Sequence, residues 1–147
     1  MSDVVTITVT QQENYKFLVD FGSGLSPLLA DEPEPLGGGE GPDPSRILLA
    51  AVANCLAASL LFALKKFKQD AGRITATATA TTGRNENNRL RITQIDVSLN
   101  FSRPGAAIEH LDRIIGQFDE FCTVSQSVRQ GIPLRIEVKD GDGRSLK

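Results

Sequence analysis

An uninterrupted run of 18 residues without a charge, Ile47 to Leu64, constrains this chain more than any other segment. Such a stretch must be enclosed by protein or by lipid. It sits at the lower edge of what spans about 30 Å of hydrocarbon. Six of its residues are alanine, Asn54 and Ser59 are polar, and no aromatic belt flanks it. Its surroundings read as soluble α+β pattern, so no membrane partner is expected. A helix apolar on every side must then be wrapped by protein, and a 147-residue chain with only two other helical segments covers it poorly. A homodimer, with a second copy supplying the cover, is the expectation.

Upstream of that run, Val4 to Thr10 and Tyr15 to Phe21 read as the strands of a hairpin joined by Gln11 to Asn14. From Gly22 to Ser45 the chain is rich in glycine and proline and reads mostly as loop, with a brief strand at Leu28 to Ala30. Asp43 is placed to cap the long helix, Pro44 fits its first turn, and Lys65, Lys66 and Lys68 suit its negative end, so the helix is predicted to reach about Lys68. Arg73 to Thr82 alternates alanine with threonine, the signature of a strand with one thin face. In Arg89 to Ser102 the apolar phase slips between Ile92 and Ile95, which predicts a bulge near Thr93 and Gln94. Ile108, Leu111, Ile115 and Phe118 follow with helical spacing, and Cys122 continues it if the helix persists that far. A further short helical segment ends at Gly131 and Pro133, and Leu134, Ile136 and Val138 form a last strand. The fold class is α+β, in a single domain over 1–147.

A formal net charge of −2, scattered signs, no Trp and one Tyr give no electrostatic footprint for nucleic acid. The start, MSDVVTITV, lacks the basic region of a signal peptide, so the expected compartment is the cytoplasm, where thiols stay reduced unless they are working. The two cysteines, Cys55 within the apolar run and Cys122 at the end of the amphipathic segment, lie 67 positions apart. A free cysteine is commonly a small buried hydrophobe, so each also reads as plain packing. His110 is the sole histidine and, with two distant cysteines, lacks the short spacings of a zinc site; no metal is expected.

The segment LLADEPEPLGGGEGPDPSRILLAAVANCLAASL, residues 28–60, resembles the OsmC/Ohr family of osmotically inducible and organic hydroperoxide resistance proteins. The shared features are an acidic-proline stretch (Asp31 to Pro33), a Gly37-Gly38 pair, a GPxP turn (Gly41 to Pro44), and Leu48 to Ala51 before Cys55. A second block, FCTVSQSVRQGIPLRIEV from Phe121 to Val138, follows in the family's order. The resemblance implies an OsmC-like fold, an intertwined homodimer and a thiol peroxidase acting on organic hydroperoxides. In that scheme Cys55 attacks and becomes sulfenic acid, Cys122 resolves it as a disulfide, and an external dithiol resets the pair without a bound cofactor.

Two features of the family pattern are missing. Its peroxidases use an arginine from the N-terminal sheet and a glutamate one or two turns ahead of the first cysteine, whereas residues 1–45 contain no arginine and positions 45 and 46 are Ser45 and Arg46. Nine residues of helix turn through about 900°, which leaves Arg46 facing away from Cys55. Arg129, seven residues after Cys122, and Ser59, one turn beyond Cys55, are the candidate activating groups. The alternative reading is a noncatalytic or ligand-binding OsmC-like protein that has lost its activating residues. A third is a structural dimer whose cysteines only pack.

Overall fold

The computed structural model describes residues 3–147. The chain forms two compact units, one ending at Leu48 and one running from Leu49 to Lys147.

In the first unit, β1 (Thr8–Glu13), β2 (Lys16–Asp20) and β3 (Leu28–Ala30) form an antiparallel sheet in that order. The hairpin expected from the sequence is present with its first strand displaced. The polar residues Gln11 to Glu13 belong to β1, and Asn14, at φ 52°, turns the chain with Tyr15. β1 is exposed along its whole length, so no buried face selects apolar residues for it. β3 forms where the sequence indicates. The Gly/Pro-rich loop after it is organised by Asp31, a buried carboxylate that accepts the N–H groups of Glu32 (2.8 Å) and Glu40 (3.0 Å). These donors, Glu40 first, hold its carboxyl below the ordinary range. At Gly41 a side chain would meet the carbonyl of Leu29, which is why this close approach requires glycine.

The long helix α1 spans Pro44–Lys66. Asp43 caps it as expected, its Oδ1 accepting the Arg46 N–H at 2.9 Å while Oδ2 pairs with the Arg46 guanidinium at 3.1 Å. The helix ends two residues before the expected point. Lys68 turns left-handed (φ 57°), and the Gln69 N–H reaches back to the Leu64 carbonyl at 2.8 Å, closing the last turn.

The second unit holds α1 from Leu49 onward and a sheet ordered β4 (Ile74–Arg84), β5 (Leu90–Phe101), β6 (Leu134–Lys139). β4 and β5 are antiparallel, β5 and β6 parallel. Thr81 pairs with Gln94 and Thr82 with Ile92, leaving Thr93 as the extra residue of the predicted bulge. The crossover from β5 to β6 carries a short 3-10 turn, helix α2 (Leu111–Gln117), a second 3-10 turn (Phe118–Phe121) and helix α3 (Thr123–Val128). The continuous helix that would have put Cys122 on an apolar stripe is therefore broken, and Cys122 instead stands immediately before α3.

The core of this unit comprises Val52, Leu56, Leu60 and Leu64 along one side of α1, Ile95, Val97, Leu99 and Phe101 of β5, and Ile114, Phe118 and Val138. The other side of α1 is apolar yet exposed: Ala51, Ala58, Leu61 (43%) and Phe62 (64%) face outward. In length and hydropathy α1 would suffice to cross a membrane, and only 22% of its most apolar window is buried. The alanine face of β4 is likewise only partly covered.

Candidate functional site

Cys55 and Cys122, remote in sequence, come together in the second unit as free thiols, each acting on the ionisation of the other. Cys55 lies midway along α1, half-buried, and Cys122 is completely buried. Cys122 is held at both ends of its residue. Its N–H donates to the Asp119 carbonyl (3.2 Å), and its own carbonyl accepts the Gln126 N–H (3.0 Å) and the Ser125 hydroxyl (3.4 Å).

The two thiols experience opposite fields. Burial pushes the Cys55 thiol up, and its role as donor to Cys122 raises it further, against the N–H groups of Val124 and Ser125. Burial also acts upward on Cys122, but the Cys55 thiol, the Ser125 hydroxyl, the Ser125 N–H and the Ser59 hydroxyl together outweigh it and bring Cys122 below its ordinary value. The two directions make Cys122 the more acidic of the pair, and the first proton lost belongs to the pair as a unit.

Of the candidate activating groups, the Ser59 hydroxyl acts downward on the Cys122 thiol, the weakest of the effects that do so. Arg129 is engaged elsewhere: its Nη1 lies 3.9 Å from the Asp119 carboxylate and its Nη2 donates to the Leu134 carbonyl at 3.3 Å. Arg46 remains with Asp43 at the start of α1, its side chain 70% exposed. His110 is exposed and stacks beside Phe67, with ring centroids 5.4 Å apart.

Ser125 is the side chain beside the thiols that sequence reasoning left unassigned. The spacing Cys122-x-x-Ser125 puts its hydroxyl one helical turn from the sulfur, a signal visible in the chain but silent about which atom the hydroxyl serves. Asp119 and Lys147 were also missed; their contact, Lys147 Nζ to Asp119 Oδ1 at 2.9 Å, joins residues 28 positions apart.

The arrangement supplies a thiol pair, donors for one thiolate and an accessible sulfur on α1, which suits reversible two-electron sulfur chemistry. No curated protein matches the sequence at a significant level. Solved structures of similar fold include an organic hydroperoxide resistance protein from Elizabethkingia anophelis, 23% identical over 95% of this chain and 99% of that one, with a TM-score of 0.73. An OsmC-like protein from Mycoplasma pneumoniae is 15% identical over 95% and 99%, TM-score 0.77. The organic hydroperoxide resistance protein OhrB of Bacillus subtilis is 18% identical over 91% and 98%, TM-score 0.68. The sequence model of the OsmC-like protein family matches residues 37–137, a span that holds both cysteines, Ser59 and Ser125, and this chain belongs to that family.

Proposed function

We propose that the protein is a thiol-dependent peroxidase that reduces organic hydroperoxides in the reducing cytoplasm, as a homodimer. The observation that carries this reading is the pair of free thiols brought together from distant parts of the chain, each acting on the ionisation of the other. Cys55 is the attacking residue because Cys122 is wholly buried and a peroxide meets the half-buried sulfur first. Shift of the shared proton along the S–H···S contact places the charge on Cys55 at the moment of attack. Its sulfur takes the outer peroxide oxygen, the O–O bond breaks, and the departing alkoxide leaves as alcohol after protonation. Cys122 then attacks the sulfenic sulfur, a disulfide forms and water leaves. A dithiol donates two electrons and two protons to restore the pair. The substrate class is supported by two structural neighbours that are named organic hydroperoxide resistance proteins. For the dimer, the support is the exposed apolar side of α1, which a second copy would cover.

The test is a coupled assay of hydroperoxide consumption with a dithiol donor, on wild type, Cys55→Ser and Cys122→Ser. Wild type should turn over and Cys55→Ser should be inert. Cys122→Ser should accept one equivalent of peroxide and accumulate sulfenic acid. A second reading, a noncatalytic ligand-binding protein, is favoured by the raised Cys55 thiol and by the engagement of Arg129 with Asp119. Wild-type protein that leaves hydroperoxide unconsumed and both thiols free would establish that reading instead.

A further inference from the structure

The reaction above makes no use of a charged cluster next to the site. Asp119, buried and three residues before Cys122, places Oδ1 2.9 Å from Lys147 Nζ and Oδ2 3.9 Å from Arg129 Nη1. Its backbone carbonyl accepts both the Cys122 N–H (3.2 Å) and Gln126 Nε2 (3.0 Å), so one residue couples the ion pairs to the turn that carries the sulfur. Lys147 also donates to the Ile115 carbonyl at the end of α2 (3.1 Å) and lies 5.5 Å over the Phe118 ring. The Lys147 carbonyl in turn accepts the Val138 N–H of β6 at 3.3 Å. Arg129, just after α3, adds a tie to Leu134 at the start of β6. A carboxylate this enclosed is retained at a desolvation cost, and its partners fix the backbone around it in one arrangement.

We propose that Asp119, Lys147 and Arg129 are positioning residues, a clamp between β6 and the Cys122 turn that sets how fast Cys122 captures the sulfenic acid formed on Cys55. The proposal rests on the thiol-peroxidase reading. Capture is intramolecular, so its rate follows how narrowly the attacking sulfur is confined at bonding range. The sulfenic acid has two fates. Attack by Cys122 forms the S–S bond and releases water, whereas attack on a second hydroperoxide breaks its O–O bond, releases alcohol and leaves Cys55 as sulfinic acid. A loosened clamp slows the first fate and leaves the second unchanged. The initial attack is less sensitive to the clamp, because it needs Cys122 only to take up the Cys55 proton, whereas capture needs the two sulfurs at bonding range.

The experiment is a single-turnover oxidation with cumene hydroperoxide, quenched in time, with disulfide and Cys55 sulfinic acid counted by mass spectrometry. In Lys147→Ala the loss of Cys55 thiol should slow by about twofold at most, while disulfide closure slows about tenfold and the sulfinic fraction rises by about the same factor. Lys147→Arg, which keeps a cation for Asp119, should restore most of the wild-type partition. Asp119→Asn keeps the volume and tests the charge if Lys147→Ala proves unfolded by circular dichroism; it should raise the sulfinic fraction about threefold. A folded Lys147→Ala or Asp119→Asn protein with the wild-type ratio of disulfide to sulfinic acid overturns the clamp, as does an equal slowing of both steps. A wild type that forms neither sulfenic acid nor disulfide sinks the peroxidase reading itself, so the two failures are distinguishable.

Discussion

Removing the Ser125 hydroxyl probes the thiolate most directly. This hydroxyl donates to the Cys122 carbonyl at 3.4 Å and, turned to the sulfur, is the side-chain group that after Cys55 does most to offset burial at Cys122; it is itself completely buried, so no water replaces it readily. A hydrogen bond to a charged group contributes about 1.5–3 kcal/mol. The Ser125 N–H and the Ser59 hydroxyl remain after Ser125→Ala, so the lower end applies, and about 1.4 kcal/mol is tenfold in the ionisation equilibrium. The thiolate fraction measured by ultraviolet absorbance in the lower limb of the titration should therefore fall about tenfold in Ser125→Ala. Ser59→Ala, removing the weaker donor, should fall less. Alanine suits a helical position, so α3 keeps its backbone and the comparison reads the hydroxyl. A Ser125→Ala titration superimposed on wild type, or a larger loss in Ser59→Ala, would refute this account of the charge.

Asp140 offers a test of stability against pH. Its carboxylate accepts the N–H groups of Gly105 (2.7 Å), Arg144 (2.9 Å) and Asp142 (3.0 Å), and these donors, Gly105 first, depress its pKa. A depressed carboxylate stabilises the fold above its unfolded pKa of about 3.9 and loses that contribution as pH falls through the folded value. Melting temperature should drop below about pH 4 in wild type and with a shallower slope in Asp140→Asn; parallel profiles would exclude this source. For the proposed dimer, Phe62→Glu sets a charge into the most exposed large apolar side chain of α1 and should shift sedimentation from dimer to monomer at micromolar concentration. A folded wild-type monomer at that concentration would dispose of the dimer.

Periodicity carried much of this fold and failed at identifiable points. The phase slip at Ile92 to Ile95 marked Thr93 as a bulge, and the Ala/Thr alternation marked β4, because a sheet with one covered face selects side chains in strict period two. β1 lacked that selection, being exposed on both faces, and was read four residues early. The break before Cys122 was invisible because 3-10 turns continue an i, i+3 spacing almost as an α-helix does, so Ile115, Phe118 and Cys122 keep their apparent stripe. Family resemblance pointed to both cysteines, but not to the division of labour between their protonation states. That division depends on Ser125, whose sequence signal is only a hydroxyl three residues from a thiol. The Asp119–Lys147 contact has no local signature at all, since a parallel β5–β6 pairing is what returns the chain to that place.

The long separation of two adjacent thiols has an energetic consequence. A bridge between them would close a loop of 67 residues, and the chain-entropy relation assigns that closure about 4 kcal/mol of added folding stability. For a chain of this size that is a rise of about 10 °C in melting temperature, so the oxidised and reduced proteins would be separable by heat alone. The same quantity enters the redox cycle with the opposite demand. Whatever the native fold gains from the bridge, a reductant must overcome, and about 4 kcal/mol lowers the reduction potential by about 90 mV relative to the same two cysteines in the unfolded chain. A donor able to close its own ring on release supplies that driving force more readily than two separate monothiols, so in the proposed cycle the long separation of Cys55 and Cys122 in sequence would favour a dithiol.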